Sequence, residues 1–182
     1  MMLSAASMAM TVPGTALHKM DLADEGAARA VGLLGDNDLV SIIPVDSAAH
    51  PLSALVQVGP NRGELQNSAR VVESMGGGIF VHAGLKAGWE ILKPAPVGQR
   101  HVILLADAAD AEEPGDYVKL LAEMQKEKCT VSVIGLGSEK DRDADFLKDV
   151  AKRGGGRIFF NADPNELPGL FAQETVSVAR SA

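Results

Sequence analysis

Apolar runs of strand length alternate along this chain with segments whose apolar residues recur at helical spacing. That alternation limits the fold more than any other feature. Residues 101–105 read HVILL, a continuous apolar run of the kind carried by a strand buried on both faces. After it, Tyr117, Leu120, Leu121 and Met124 form one helical stripe, and residues 129–136 (CTVSVIGL) are strand-like again. Phe146, Leu147 and Val150 mark the next helix, which stops at Gly154-Gly155-Gly156 before a short strand at 158–160. Parallel neighbours need a crossover, and helical crossovers cover the faces of the sheet they connect. The pattern therefore predicts a three-layer α/β sandwich, a doubly wound and mostly parallel sheet with helices on both faces.

The first half fits the same scheme. Residues 19–34 carry Met20, Ala23, Ala27, Val31 and Leu34 at helical spacing, and Gly35 ends the segment. Residues 39–45 (LVSIIPV) are a strand, with Pro44 pointing to an edge or late-strand position. A second, weaker strand at 52–58 is closed by Gly59-Pro60. Residues 62–75 read as a surface helix, the glycines at 76–78 break the chain, and 79–92 form a helix with Leu85, Trp89 and Leu92 along one side. The last helix is predicted over 163–179, with Asp163 as N-cap, Pro164 in its first position, and Leu167, Leu170, Phe171 and Val178 toward the sheet.

Composition narrows the function. A chain of 182 residues suits one domain, here 1–182. Its 17 basic and 24 acidic side chains leave a net charge of −7, which argues against nucleic acid or an anionic membrane surface as the main partner. No apolar run approaches the ~20 residues of a membrane span, so this segment is not expected to insert. The opening MMLSAASMAM lacks the basic flank of a signal peptide. Cys129 is the single cysteine; it excludes an internal disulfide or a multi-cysteine zinc site and reads as a small buried hydrophobe. His18, His50, His82 and His101 are scattered, there is no G-x-S-x-G elbow, and neither glycine run has the spacing of a phosphate cradle. No catalytic residue and no cofactor is predicted.

The order of segments carries a resemblance. Ala106-Asp107-Ala108 ends an apolar strand, residues 130–137 form a second, and residues 147–159 (LKDVAKRGGGRIF) supply a helix–strand unit; residues 19–47 match a first helix and second strand. Together these resemble a von Willebrand factor type A domain over most of the chain. The resemblance implies strand order 3-2-1-4-5-6, with the 52–58 strand antiparallel at one edge. The tail, with Leu167-Pro168 and residues 171–175, is similar to bacterial membrane-linked proteins of this family. In those, the domain often accompanies transmembrane helices and a glutamine-amidotransferase-like domain. Strand one of the family is central, yet little of the chain precedes Leu3, where a strand needs ~5–6 residues. The expectation is a fragment of a longer parent with strand one truncated, or a shortened strand that draws in residues 4–8.

The family's usual feature is a metal-ion-dependent adhesion site, which holds Mg²⁺ through an Asp-x-Ser-x-Ser loop, a Thr in the glycine loop and an Asp after strand four. In this sequence Leu3 and Ala5 occupy the first two of those positions and only Ser7 remains; Ile79 and Phe80 fill the glycine-loop positions; Asp107 survives. The pattern implies a degenerate site, with Ser7 and Asp107 as its residual candidate ligands. The leading expectation is a non-catalytic interaction module for another protein, or for another domain of the parent chain. Its contact face would lie at the carboxyl end of the sheet around Ser7, Ile79, Phe80 and Asp107, with Ile79 and Phe80 exposed. Two alternatives stand beside it. One is a doubly wound enzyme or small-molecule binder using Ser7, Asp46, Asp107 and Lys140; the other is metal-dependent adhesion with rearranged ligands. Asp107, Asp110, Glu112, Glu113 and Asp116 read as a solvated acidic loop before a helix, with Asp107 as a cap or backbone acceptor.

Overall fold

A computed structural model describes residues 2–4, 16–73, 79–108, 111–112 and 115–179. Its elements run β1 (Met2–Ser4), α1 (Lys19–Leu33), β2 (Leu39–Val40), β3 (Ile43–Val45), β4 (Val56–Gln57), α2 (Val58–Arg70), β5 (Ile79–Phe80) and α3 (Val81–Leu92). Then come β6 (Arg100–Asp107), β7 (Ala111–Glu112), α4 (Tyr117–Lys126), β8 (Cys129–Leu136), α5 (Ala144–Arg153), β9 (Gly155–Asn161), a 3₁₀ turn at Pro164–Glu166 and α6 (Leu167–Ala179). The main sheet has the order β3-β1-β6-β8-β9, and every pair in it is parallel. β6 and β8 pair along their full length, from Arg100 opposite Cys129 to Asp107 opposite Leu136.

Strand alternation builds the layers, because successive side chains leave a strand on opposite faces. Val102 and Leu104 of β6 join Val131 and Val133 of β8 in one core, closed by Leu85, Trp89, Leu121 and Leu147 of α3, α4 and α5. Ile103 and Leu105 join Ile134 and Leu136 in the other, closed by Ala27, Val31, Leu65 and Phe171 of α1, α2 and α6. Full burial of one such Leu, Ile or Phe side chain contributes about 1.5–3 kcal/mol. α6 lies close on α1: a Cβ added at Gly26 would fall 2.6 Å from the Phe171 ring, so glycine is what lets the ring in. Cys129 is buried, and burial pushes its thiol up to about 11, the behaviour of a core residue rather than a nucleophile.

Several local expectations are corrected. The strand predicted at 39–45 splits into β2 and β3, because Ser41 Oγ donates to Ser53 O and Leu52 N donates to Ile42 O, folding residues 52–53 against the break. The antiparallel edge strand forms, but only as β4, which pairs with β2 outside the main sheet. Taking β2 and β3 as one strand restores the order 3-2-1-4-5-6. Pro44 sits in β3, the terminal strand of the main sheet, opposite Leu3. Gly59-Pro60 does not close a strand; it lies in the first turn of α2, where a missing N–H costs nothing. The last helix begins at Leu167 rather than 163, and Asp163 instead accepts from Asn165 N at 3.0 Å beside the 3₁₀ turn. Among the described residues, no helix is long and apolar enough to cross a membrane.

Candidate functional site

Asp107 ends β6, Asp46 follows β3, and Ile79 and Phe80 form β5 beside it. Asp107 is the last residue of β6, and its carboxylate is 8% exposed. Lys19, the first residue of α1, reaches it: Nζ lies 3.3 Å from Oδ2. Asp107 was expected to cap the following helix or accept backbone bonds. α4 starts only at Tyr117 with Asp116 at its N-cap, so Asp107 is not its cap; the carboxylate takes the Lys19 ammonium as one partner, because a carboxylate removed from water requires compensating charge or donors.

Asp46 follows β3. Its Oδ1 accepts from the Ala48 amide at 2.8 Å and lies 3.0 Å from His50 Nε2. The Ala48 amide first, and His50 second, hold its carboxyl below the usual carboxylate range. Asp46 thus stabilises its own loop. Its carbonyl accepts from the Phe80 amide at 3.0 Å, which ties β5 to the end of β3 and keeps 79–80 extended where a helix was predicted. β5 pairs in parallel with β7, Ile79 opposite Ala111 and Phe80 opposite Glu112.

That placement overturns one expectation. Ile79 is not exposed: it is 1% accessible and packs in the core with Ile43, Val45, Val81 and Ala111. The short strand turns its two side chains to opposite sides, so Phe80 alone is left half-buried at the surface. Ser7 lies outside the described residues, as do Asp110 and Glu113 of the acidic stretch. Lys140 is exposed in the loop after β8, where its amide donates to Ser138 Oγ at 3.3 Å. Among the described residues, no group of three or more His, Cys, Asp or Glu side chains gathers to hold an ion.

A cavity of about 320 Å³ opens at the other end of the sheet, lined by Leu34, Val40, Leu92, Ile103, Thr175 and Val178 among others. None of Asp46, Asp107 or Lys140 lines it, so it is not the polar cleft that the small-molecule alternative requires.

Sequence reasoning missed two features. Lys19 is the first, and its signal was a lysine in the first turn of a helix, where the dipole disfavours a cation. The second is a buried polar cluster between α6 and the sheet. Glu174 accepts from Ser132 Oγ at 2.6 Å and from Arg157 Nη2, and its Oε1 lies 3.6 Å from His101 Nε2. His101 Nδ1 is 2.6 Å from Thr130 Oγ1. Burial pushes the Glu174 carboxyl up, but the nearby His101 ring and the bonds from Ser132 and Arg157 outweigh that and bring it down to about 2. The signal was a polar residue inside an apolar stripe, Ser132 in CTVSVIGL and Glu174 in LFAQETV. Ser132 bonds Glu174 and the Arg157 amide rather than a histidine, so the trio is a structural clasp and not a nucleophile with its base.

Residues 4–160 match the family model of the von Willebrand factor type A domain. One curated relative, calcium-activated chloride channel regulator 1 of Macaca mulatta, is 24% identical over 132 residues, 72% of this chain; the chain spans only 14% of that relative's length. The solved structure of a von Willebrand factor type A protein from Catenulispora acidiphila is 22% identical, with a TM-score of 0.83 over 98% of this chain and 41% of that one. An aerotolerance-related membrane protein from Bacteroides fragilis is 14% identical, with a TM-score of 0.74 over 97% of this chain and 96% of its own. At such identities the two structures speak for the fold, and they agree with the parallel sheet and its two helical layers. The family model takes in most of the chain, and the chain belongs to the von Willebrand factor type A family.

Proposed function

We propose that this chain is a non-catalytic protein-interaction module that uses the carboxyl end of its sheet without an adhesion-site metal. Domains of the family generally mediate protein interactions. The observation that carries the reading is the burial of Ile79. At the position where the family pattern places a threonine ligand, this chain has an aliphatic side chain that is 1% exposed and belongs to the core. A hard divalent ion needs oxygen ligands, and Leu3, Ala5 and Ile79 carry none on their side chains. The donor set does not fit the metal.

The contact surface that remains is Phe80, half-buried beside the ends of β3 and β6, with Asp107 close to the same end of the sheet and Ser7 assigned there from the sequence. An aromatic group suits the centre of a protein contact. The partner is another protein or another domain of the parent chain. Relatives that carry this domain within much longer chains support the second source, and they support reading 1–182 as one domain of a longer parent.

The test places a photo-crosslinking phenylalanine analogue at position 80 in the parent protein, with a control at exposed Lys126 at the far end of α4. The reading expects a specific protein adduct from position 80, absent from position 126 and unchanged by a chelator. An adduct that disappears with chelator, or one formed equally from both positions, contradicts it.

A further inference from the structure

We propose that the cavity of about 320 Å³ at the amino end of the sheet is the seat of a β-strand: it receives an extended apolar polypeptide segment that pairs between β2 and β6, in line with β1. The occupant is the segment of the parent chain that leads into β1. The inference rests on reading 1–182 as one domain of a longer parent, and it adds where the rest of that parent engages the fold.

The flanks of the cavity are strands. In the sheet order β1 stands between β3 and β6, and its described pairing with β6 is Met2 opposite Leu104. From there β6 runs back through Ile103, Val102 and His101 to Arg100. One flank of that stretch pairs with β8 throughout. The other has no strand partner among the described residues. Across from it, β2 pairs with β4 through one flank only. Leu39 and Val40 of β2 and Arg100, His101 and Ile103 of β6 line the same cavity. Open strand flanks carry main-chain donors and acceptors that an added strand satisfies.

A second observation says what fits between them. A smaller cavity of about 60 Å³ lies along the same line and shares Leu39, Val40 and His101 with the larger one. The larger reaches α1 and α6 through Ala30 and Val178, and the smaller reaches α3 through Gly88 and Ile91. The two therefore lie toward opposite faces of the sheet, whose cores are closed by those same helices. A strand sends successive side chains to both faces, which is the shape this pair of spaces has. In parallel register the residue opposite His101 faces α6, and the residue opposite Val102 faces α3. The occupant then alternates a large apolar side chain toward α6 with a small one toward α3. Chain continuity favours the parent's own segment: the amino end of β1 points along β6 toward Arg100, so residues joined to it arrive at high effective concentration. A strand from another molecule in the same line would meet β1 head-on.

Thermal melting and hydrogen exchange of 1–182 carrying amino-terminal extensions test this. An extension of about four residues that alternates isoleucine and alanine in the stated phase should raise Tm by about 5 °C or more and protect the β6 amides within 100–103. The same extension shifted by one residue should gain less than half of that, and a glycine–serine extension should stay within about 1 °C of the unextended protein. If the first extension prevents soluble expression, the same peptide titrated into 1–182 gives the readout: a saturable rise in Tm with protection in β6 supports the strand seat, and its absence overturns it. Equal melting for all three extensions, or protection outside β6, also overturns it. Mass spectrometry of the natural protein should place its amino terminus upstream of Met1; a natural chain that starts at Met1 overturns the choice of occupant. None of these measurements involves a contact at Phe80, so this result and the crosslinking result can fail independently.

Discussion

Ser132 Oγ, inside β8, donates a 2.6 Å hydrogen bond to Oε1 of Glu174 on α6. Both side chains are buried, and the same hydroxyl accepts from the Arg157 amide of β9 at 3.0 Å. One helix is thereby fixed to two strands at a single register, in an interface otherwise made of Leu167, Phe171 and aliphatic groups that specify no register of their own.

Glu174→Gln should therefore cost about 2–3 kcal/mol near neutral pH, because it removes the charge but keeps the shape. The sign of the pH dependence follows from a carboxyl held at about 2 in the folded chain and about 4.3 in the unfolded one. Its stabilisation is complete above the unfolded value and is lost as pH falls toward 2. Denaturation curves from pH 6 down to pH 2, on parent and variant, check this: the two should differ most at pH 6 and converge in acid.

Asp24 has the opposite sign. It is 3% exposed on α1, and burial first, with the Asp21 charge second, raises its carboxyl to about 8 against the lowering effect of the Val72 amide. Between the unfolded value of about 3.9 and 8 the folded chain keeps a proton that the unfolded chain releases, so stability falls as pH rises through that window. Asp24→Asn should raise Tm at pH 8 and do much less at pH 4. Melting at the two pH values reads the difference directly, and an equal shift at both would contradict the assignment.

Lys128, in the turn from α4 to β8, has φ of 57° with an exposed side chain. The left-handed region costs a lysine about 1–2 kcal/mol relative to glycine, part of which glycine returns as chain entropy. Lys128→Gly should gain about 0.5–1 kcal/mol in urea denaturation, and Lys128→Ile should lose stability.

The layered sheet was legible because burial on two faces leaves continuous apolar runs, and β6 and β8 carry the longest of them. Pro44 likewise marked a terminal strand, since its missing donor excludes it from the centre. The site was legible only in part. Asp107 stood out as an acid at a strand end, but the Lys19 ammonium it meets is 88 residues away, and no local period records that contact. Ile79 looked exposed because a family ligand position suggests a surface. Its burial depends on β7 and α3 closing over it, which only the assembled chain decides. The Ser132–Glu174 contact spans 42 positions and escaped for the same reason.

The claim that this face works without an adhesion metal is tested most directly by calorimetric titration of Mg²⁺ and Mn²⁺ into the protein at neutral pH. The account predicts no saturable heat up to a few millimolar ion and, by mass action, no rise in Tm at the same concentrations. A saturable signal that Asp107→Ala abolishes would contradict it.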